Sequence, residues 1–196
     1  MLCASVILAR LAALAVLVAL AGAATVQGTP AKPKDIPANL VPPAGSVLLF
    51  ELGARGVQIY ACEADPDDAT AFVWTFKAPE AELLNARGEV VGSHWAGPTW
   101  QVLDGSTVIG AVLERADAPK SGAIPWLLLE AKERADNGVF SMITHIQRLD
   151  TVGGVAPAED CDADHAGAEV RVPYTATYAF YYSAMLATPV AATPVA

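Results

Sequence analysis

The chain has 196 residues and a formal net charge of −9. Acidity on this scale argues against nucleic acid and anionic membrane surfaces as partners. The length suits one domain with a substantial core rather than two.

Residues 11–24 are an apolar run of Leu, Ala and Val, preceded by Arg10 and ending in Ala21-Gly22-Ala23. That is the small-x-small pattern of a signal peptidase site. The run falls short of the ~20 residues of a spanning helix. The expectation is therefore a signal peptide over 1–23, no stable membrane span after cleavage, and a secreted or periplasmic location. Loss of Arg10 would move the net charge from −9 to −10. Residues 24–37, with Pro30, Pro33 and Pro37 and no apolar period, read as a flexible leader.

Residues 47–52 and 57–62 flank Gly53-Ala54-Arg55-Gly56, which predicts two strands joined by a hairpin loop. Residues 63–70 form a polar loop, after which Phe72, Trp74 and Phe76 alternate with Val73, Thr75 and Lys77, the period of a strand with one buried face. Residues 79–84 fit either strand or one helical turn with Pro79 at its first position. Asn85-Ala86-Arg87-Gly88 fits a type I turn closed by a left-handed glycine, pairing 82–84 with 89–91. In His94-Trp95-Ala96-Gly97-Pro98 a donor is missing at Pro98 and Gly97 adds freedom, so the chain is expected to bend or cross between sheets.

The strongest turn signal is Asp104-Gly105. As a two-residue type I′ loop it pairs Trp100 with Ile109 and Val102 with Thr107, giving those four side chains a common face. Residues 124–131 read as a strand entered through Pro125, whose unbroken apolar run predicts burial on both faces. Asn137-Gly138 predicts a tight turn into a strand over 139–149, with Phe140, Met142 and Ile146 on one face. After a Gly, Ala and Asp loop over 152–168, Val170, Val172, Tyr174, Ala176, Tyr178 and Phe180 give the cleanest period-two strand. Residues 185–196, in which Ala-Thr-Pro-Val-Ala occurs twice, read as a disordered tail. About nine short strands without amphipathic helices predict a single all-β domain over 38–184, an antiparallel β-sandwich or barrel.

Several segments occur in an order that resembles one family: Gly56-Val57-Gln58-Ile59-Tyr60-Ala61-Cys62, Val91-Gly92-Ser93-His94-Trp95-Ala96-Gly97-Pro98-Thr99-Trp100, Asp104-Gly105-Ser106, Ile124-Pro125-Trp126-Leu127-Leu128, and Thr151-Val152-Gly153-Gly154-Val155-Ala156-Pro157 with Cys161-Asp162. Over residues 36–182 the chain resembles domain-of-unknown-function family 3455 (DUF3455). The resemblance implies an exported all-β protein and carries no catalytic residues with it.

Once a signal is removed, Cys62 and Cys161 are the remaining cysteines, and an oxidising compartment predicts a disulfide between them. The bridge would draw two acidic loops together. Asp65, Asp160, Asp162 and Asp164 thus form a candidate Ca²⁺ set, since Ca²⁺ takes six to eight oxygen ligands. Against it stands the reading of two solvated acidic loops, with His165 and Arg171 where a calcium loop has Gly and Glu. No Cys-x-x-Cys or Gly-x-Ser-x-Gly pattern supplies zinc or nucleophile chemistry. His94 and Trp95, in an irregular stretch between strands, are the candidate binding residues, weighed against a histidine merely hydrogen-bonded at a sheet corner. The functional expectation is a binding or cell-envelope-associated module for a small molecule or glycan. The alternative is a hydrolase or isomerase acting on a carbohydrate or small extracellular metabolite, with His94 as general acid or base and Glu80 or Glu130 beside it.

Overall fold

Period-two patterning governs the chain from Ser46 onward, and among the described residues it folds as eight antiparallel strands: β1 (Ser46–Ala64), β2 (Phe72–Leu84), β3 (Val90–Trp95), β4 (Thr99–Val102), β5 (Thr107–Ala116), β6 (Trp126–Ala135), β7 (Ile143–Gly153) and β8 (Glu169–Ser183). Each strand pairs with the next, and β8 pairs back onto β1 from Ser46↔Ser183 to Ala61↔Glu169. The sheet thereby closes into an up-and-down barrel, which leaves no unpaired edge. This computed structural model describes residues 35–68 and 70–184. The expected signal, most of the leader and the expected tail lie outside them.

The all-β expectation holds, and of the two architectures left open the chain forms the barrel. Eight strands replace nine because β1 runs unbroken through Gly53-Ala54-Arg55-Gly56, where a hairpin loop was expected. Gly56 serves close approach rather than a turn. A Cβ on Gly56 would lie against the Glu80 carbonyl oxygen and 2.5 Å from Ala81 Cα, whereas one on Gly53 would touch Leu84 Cβ at an ordinary 3.6 Å. Gly56→Ala is therefore expected to cost roughly 1–3 kcal/mol through overpacking, and Gly53→Ala far less. Urea unfolding of the two variants measures the difference; equal losses would contradict the close-approach account.

Other local expectations also shift. Residues 79–84 are strand throughout, with Pro79 opposite Gln58. The turn at residues 85–88 forms with Gly88 at φ 78°, but bulging pairs Leu84 with Val90 rather than Glu89. Residues 96–98 do not cross between sheets; they are the tip of a tight hairpin in which His94 pairs with Trp100, across a cis Gly97–Pro98 peptide. At Asp104-Gly105 the loop is longer than two residues: Gly105 N donates to Val102 O at 2.9 Å, and Gln101 pairs with Thr107 and Trp100 with Val108. A one-residue change of register reverses faces, so Val108 and Gly110 join Trp100 inside, instead of Thr107 and Ile109. Asp104 fixes this turn by accepting from Ser106 N (2.8 Å) and Oγ (2.6 Å). Asn137-Gly138 does not make a tight hairpin either. It leads into a 3₁₀ helix, Val139–Met142, whose Val139 N donates to Asp104 Oδ2 at 2.8 Å.

That short helix closes one end of the barrel. Phe140 enters the core, its ring 4.8 Å from Phe180, and Phe50 packs on both at 5.1–6.0 Å. Met142, expected to share its face, is instead exposed. The apolar run of β6 is buried on both sides, as expected. Leu127 and Leu129 point into the barrel, while Trp126 and Leu128 pack outside against Leu40 and Leu149. Gln147 Nε2 donates to Leu40 O at 2.6 Å and holds this outer layer in place.

Candidate functional site

At the end opposite Phe140 the barrel is not filled. A cavity of about 560 Å³ opens there, between the hairpin tip at residues 96–98, the bulged stretch of β2 at residues 76–79, and residues 124–125. Eight strands enclose an interior just wide enough for side chains or one small ligand. Here inward positions of successive strands converge: Gln58 from β1, Phe76 from β2, His94 from β3, Trp100 from β4, Arg148 from β7 and Tyr178 from β8. Gly110 lets this happen, since a Cβ there would sit 3.0 Å from the Trp100 ring.

The deep wall is aromatic and polar. The His94 ring stacks on Trp100, with centroids 4.6 Å apart and planes 11° from parallel, and Tyr178 meets both edge-on at 5.0 and 5.4 Å. His94 is 2% exposed. Its Nδ1 lies 2.7 Å from Thr99 O, a carbonyl that can only accept, so Nδ1 carries the proton and Nε2 keeps its lone pair. Burial pulls the His94 pKa down to about 4; the bond to Thr99 opposes this and the Arg148 charge adds to it. The imidazole is neutral at physiological pH. Burial likewise pushes the Tyr60, Tyr174 and Tyr178 hydroxyls up, and Arg148 draws each of them back in part.

Two buried donors of this wall have no hydrogen-bond partner, Gln58 Nε2 and Trp100 Nε1, on side chains 2% and 1% exposed. Arg148 donates through Nε and Nη2 to Pro125 O at 3.1 and 2.9 Å. Among the described residues that line the cavity there is no Asp or Glu, while Lys77, Arg115 and Arg148 are present. Lys77 is paired with Glu63.

The residues singled out in the sequence fall as follows. His94 lines the cavity. Trp95, its neighbour on the same strand, faces the opposite side of the sheet, is 37% exposed and does not line the cavity. The stretch is regular strand, not the irregular segment expected, and alternation separates the pair. Glu80 is paired with Arg171 (2.7 Å) and Glu130 with Lys132 (2.5 Å); neither reaches the cavity, so His94 has no carboxylate partner from them.

Cys62 and Cys161 form the expected disulfide, with Cα atoms 5.4 Å apart. It ties the end of β1 to the loop before β8, and Gly167 N donates to Cys62 O at 2.8 Å. Asp162 caps the 3₁₀ turn Ala163–His165: its Oδ1 accepts from Asp164 N and His165 N and pairs with His165 Nδ1 at 2.7 Å. Asp65 Oδ1 accepts from Asp67 N. Among the described residues no group of three or more His, Cys, Asp or Glu is placed to hold a metal ion, so Asp65, Asp160, Asp162 and Asp164 are not gathered as one ligand set.

Trp100 and Tyr178, which sequence alone offers as an aromatic platform for a flat ligand, read there more readily as core, and Gln58 and Arg148 were not expected as site residues. Their signal was present but weak: Gln58 and Arg148 are polar side chains at inward positions of otherwise apolar stripes. The profile of a family described as "Protein of unknown function (DUF3455)" matches residues 43–182. No curated protein and no solved structure matches the chain.

Proposed function

Since the chain belongs to the DUF3455 family, whose description assigns no activity, we propose from its own geometry that it is an exported binding protein that holds one small molecule in the open end of its barrel. The observation that carries this reading is the pair of buried donors without partners, Gln58 Nε2 and Trp100 Nε1, on the wall of a 560 Å³ cavity. A buried unsatisfied donor costs about 1–3 kcal/mol, and a ligand acceptor atom would remove that cost. The volume falls within the range usual for small-molecule sites. The Cys62–Cys161 disulfide supports a location outside the cytoplasm, where such bonds persist.

A thermal-shift panel of organic acids, amines, neutral aromatics and sugars tests the reading. A ligand at about 100 times its Kd adds ~2.7 kcal/mol, which for a chain of this size raises Tm by roughly 5–10 °C. Val112→Trp, at the partly exposed mouth of the cavity, should abolish the shift without lowering the Tm of the free protein by more than a few degrees. If no member of any class moves Tm, or if Val112→Trp binds as the unmodified protein does, the cavity is not a binding site.

A further inference from the structure

Resting on that reading, we infer that the cavity selects a planar organic carboxylate: a flat aromatic or conjugated body whose anionic head is received by Arg148, Gln58 and Trp100. Charge distribution is the first argument. The chain as a whole carries −9, yet its cavity wall has no carboxylate and three cations, of which Lys77 is paired with Glu63 while Arg115 and Arg148 form no ion pair among the described residues. Chance placement would favour acids, so the exclusion of acids from this one concave surface marks a site built for negative charge.

The second argument is the state of Arg148. It is half-buried, and among the described residues no carboxylate forms an ion pair with it. Two of its donors go to the neutral carbonyl of Pro125, and it also hydrogen-bonds the neutral Tyr178 hydroxyl. A guanidinium has five N–H donors in a planar fork that matches a carboxylate, and the partners it has here are neutral oxygens that do not offset its charge. Removing this charge from bulk water without a counter-ion is unfavourable, and a bound anion would supply the missing partner.

Third, the polarity of the orphan groups is one-sided. Gln58 Nε2 and Trp100 Nε1, on side chains that line the cavity, are both donors, and with Arg148 they match the polarity of a carboxylate, whose two oxygens only accept. The cavity offers an ammonium head no carboxylate in return. The His94–Trp100 stack then supplies a flat face, and Leu127 and Leu129 supply apolar walls. A planar body fits that slot better than a puckered one. Phe76 and Val112, apolar and partly exposed at the mouth, would cover its outer end.

Naphthalene-2-carboxylate and naphthalene-2-carboxamide, alike in shape and different in charge, are the probes, with binding read by calorimetry and by quenching of tryptophan fluorescence at pH 7.5. The carboxylate is expected to bind at least about tenfold more tightly than the amide, consistent with a hydrogen-bonded charge pair. Arg148→Gln should bring the ratio close to one by weakening the carboxylate alone, and Arg148→Lys should restore part of it. Should Arg148→Gln fail to fold, Trp100→Phe keeps an aromatic ring and removes one donor, and is expected to weaken the carboxylate roughly tenfold. Equal or tighter binding of the amide, a ratio that survives Arg148→Gln, or no binding of either probe overturns the inference. Binding of only amines or neutral compounds in the wider panel would overturn it too while leaving the cavity a binding site; silence of the entire panel would instead remove the binding reading itself.

Discussion

The double variant Cys62→Ala, Cys161→Ala is expected to lose about 4 kcal/mol of stability and some 8–16 °C in Tm. The bridge spans a sequence separation of 99, and cross-linking a loop of that length removes, in the chain-entropy model, ~4.7 kcal/mol of freedom from the unfolded chain. Its position adds a native-state reason. β1 and β8 form the seam that closes the barrel, and the bridge fastens the end of β1 to the loop that delivers β8. Cys62 itself is fully buried, so two alanines also remove sulfur from a packed position. Urea unfolding of the variant should show a lower midpoint together with a steeper slope, because the unlinked chain exposes more surface when unfolded. A loss below about 1 kcal/mol would mean that the hydrogen bonds from Gly167 and to Ala168, and not the covalent link, hold this loop.

Acidification should weaken the fold through His94. Its pKa is lowered to about 4 in the folded state, against about 6.5 for an exposed histidine. Between those values the unfolded chain holds a proton that the folded chain does not, so stability is complete above pH 6.5 and declines as pH falls toward 4. The full decline is about 3 kcal/mol. Burial is the leading cause, and the nearby Arg148 charge works in the same direction, while the Thr99 carbonyl opposes both. His94→Asn retains a side-chain donor for Thr99 O and cannot titrate. The difference in stability between the two proteins, followed by urea unfolding from pH 7.5 to 4, isolates His94 from the carboxylates that titrate in both. Parallel curves for the two proteins across this range would show that His94 takes up its proton without resistance. A bound carboxylate near Arg148 would raise this pKa by offsetting the cation, so ligand should narrow the gap.

Features set by neighbouring residues were legible before any fold was known. The alternation of Tyr174, Ala176, Tyr178 and Phe180 specified β8 and its inward face. The left-handed glycine at Gly88 closed its turn as expected, the apolar run of β6 announced burial on both sides, and Cys62 and Cys161 formed the expected disulfide. Tertiary structure decided whatever depends on a distant partner. Gly53 to Gly56 has the composition of a loop, but it is strand, and β2 lies so close to Gly56 that glycine is needed there. The register at Asp104 was settled by a 3₁₀ helix some 35 residues away, whose amide the carboxylate also binds. Closure of β8 on β1 leaves no local trace at all. The site shares that property: a barrel gathers single inward side chains from many strands, and Gln58, His94, Trp100, Arg148 and Tyr178 are spread over 120 residues with no spacing in common. Only His94 stood out beforehand, and its neighbour Trp95 was lost to the cavity because adjacent residues of a strand face opposite ways.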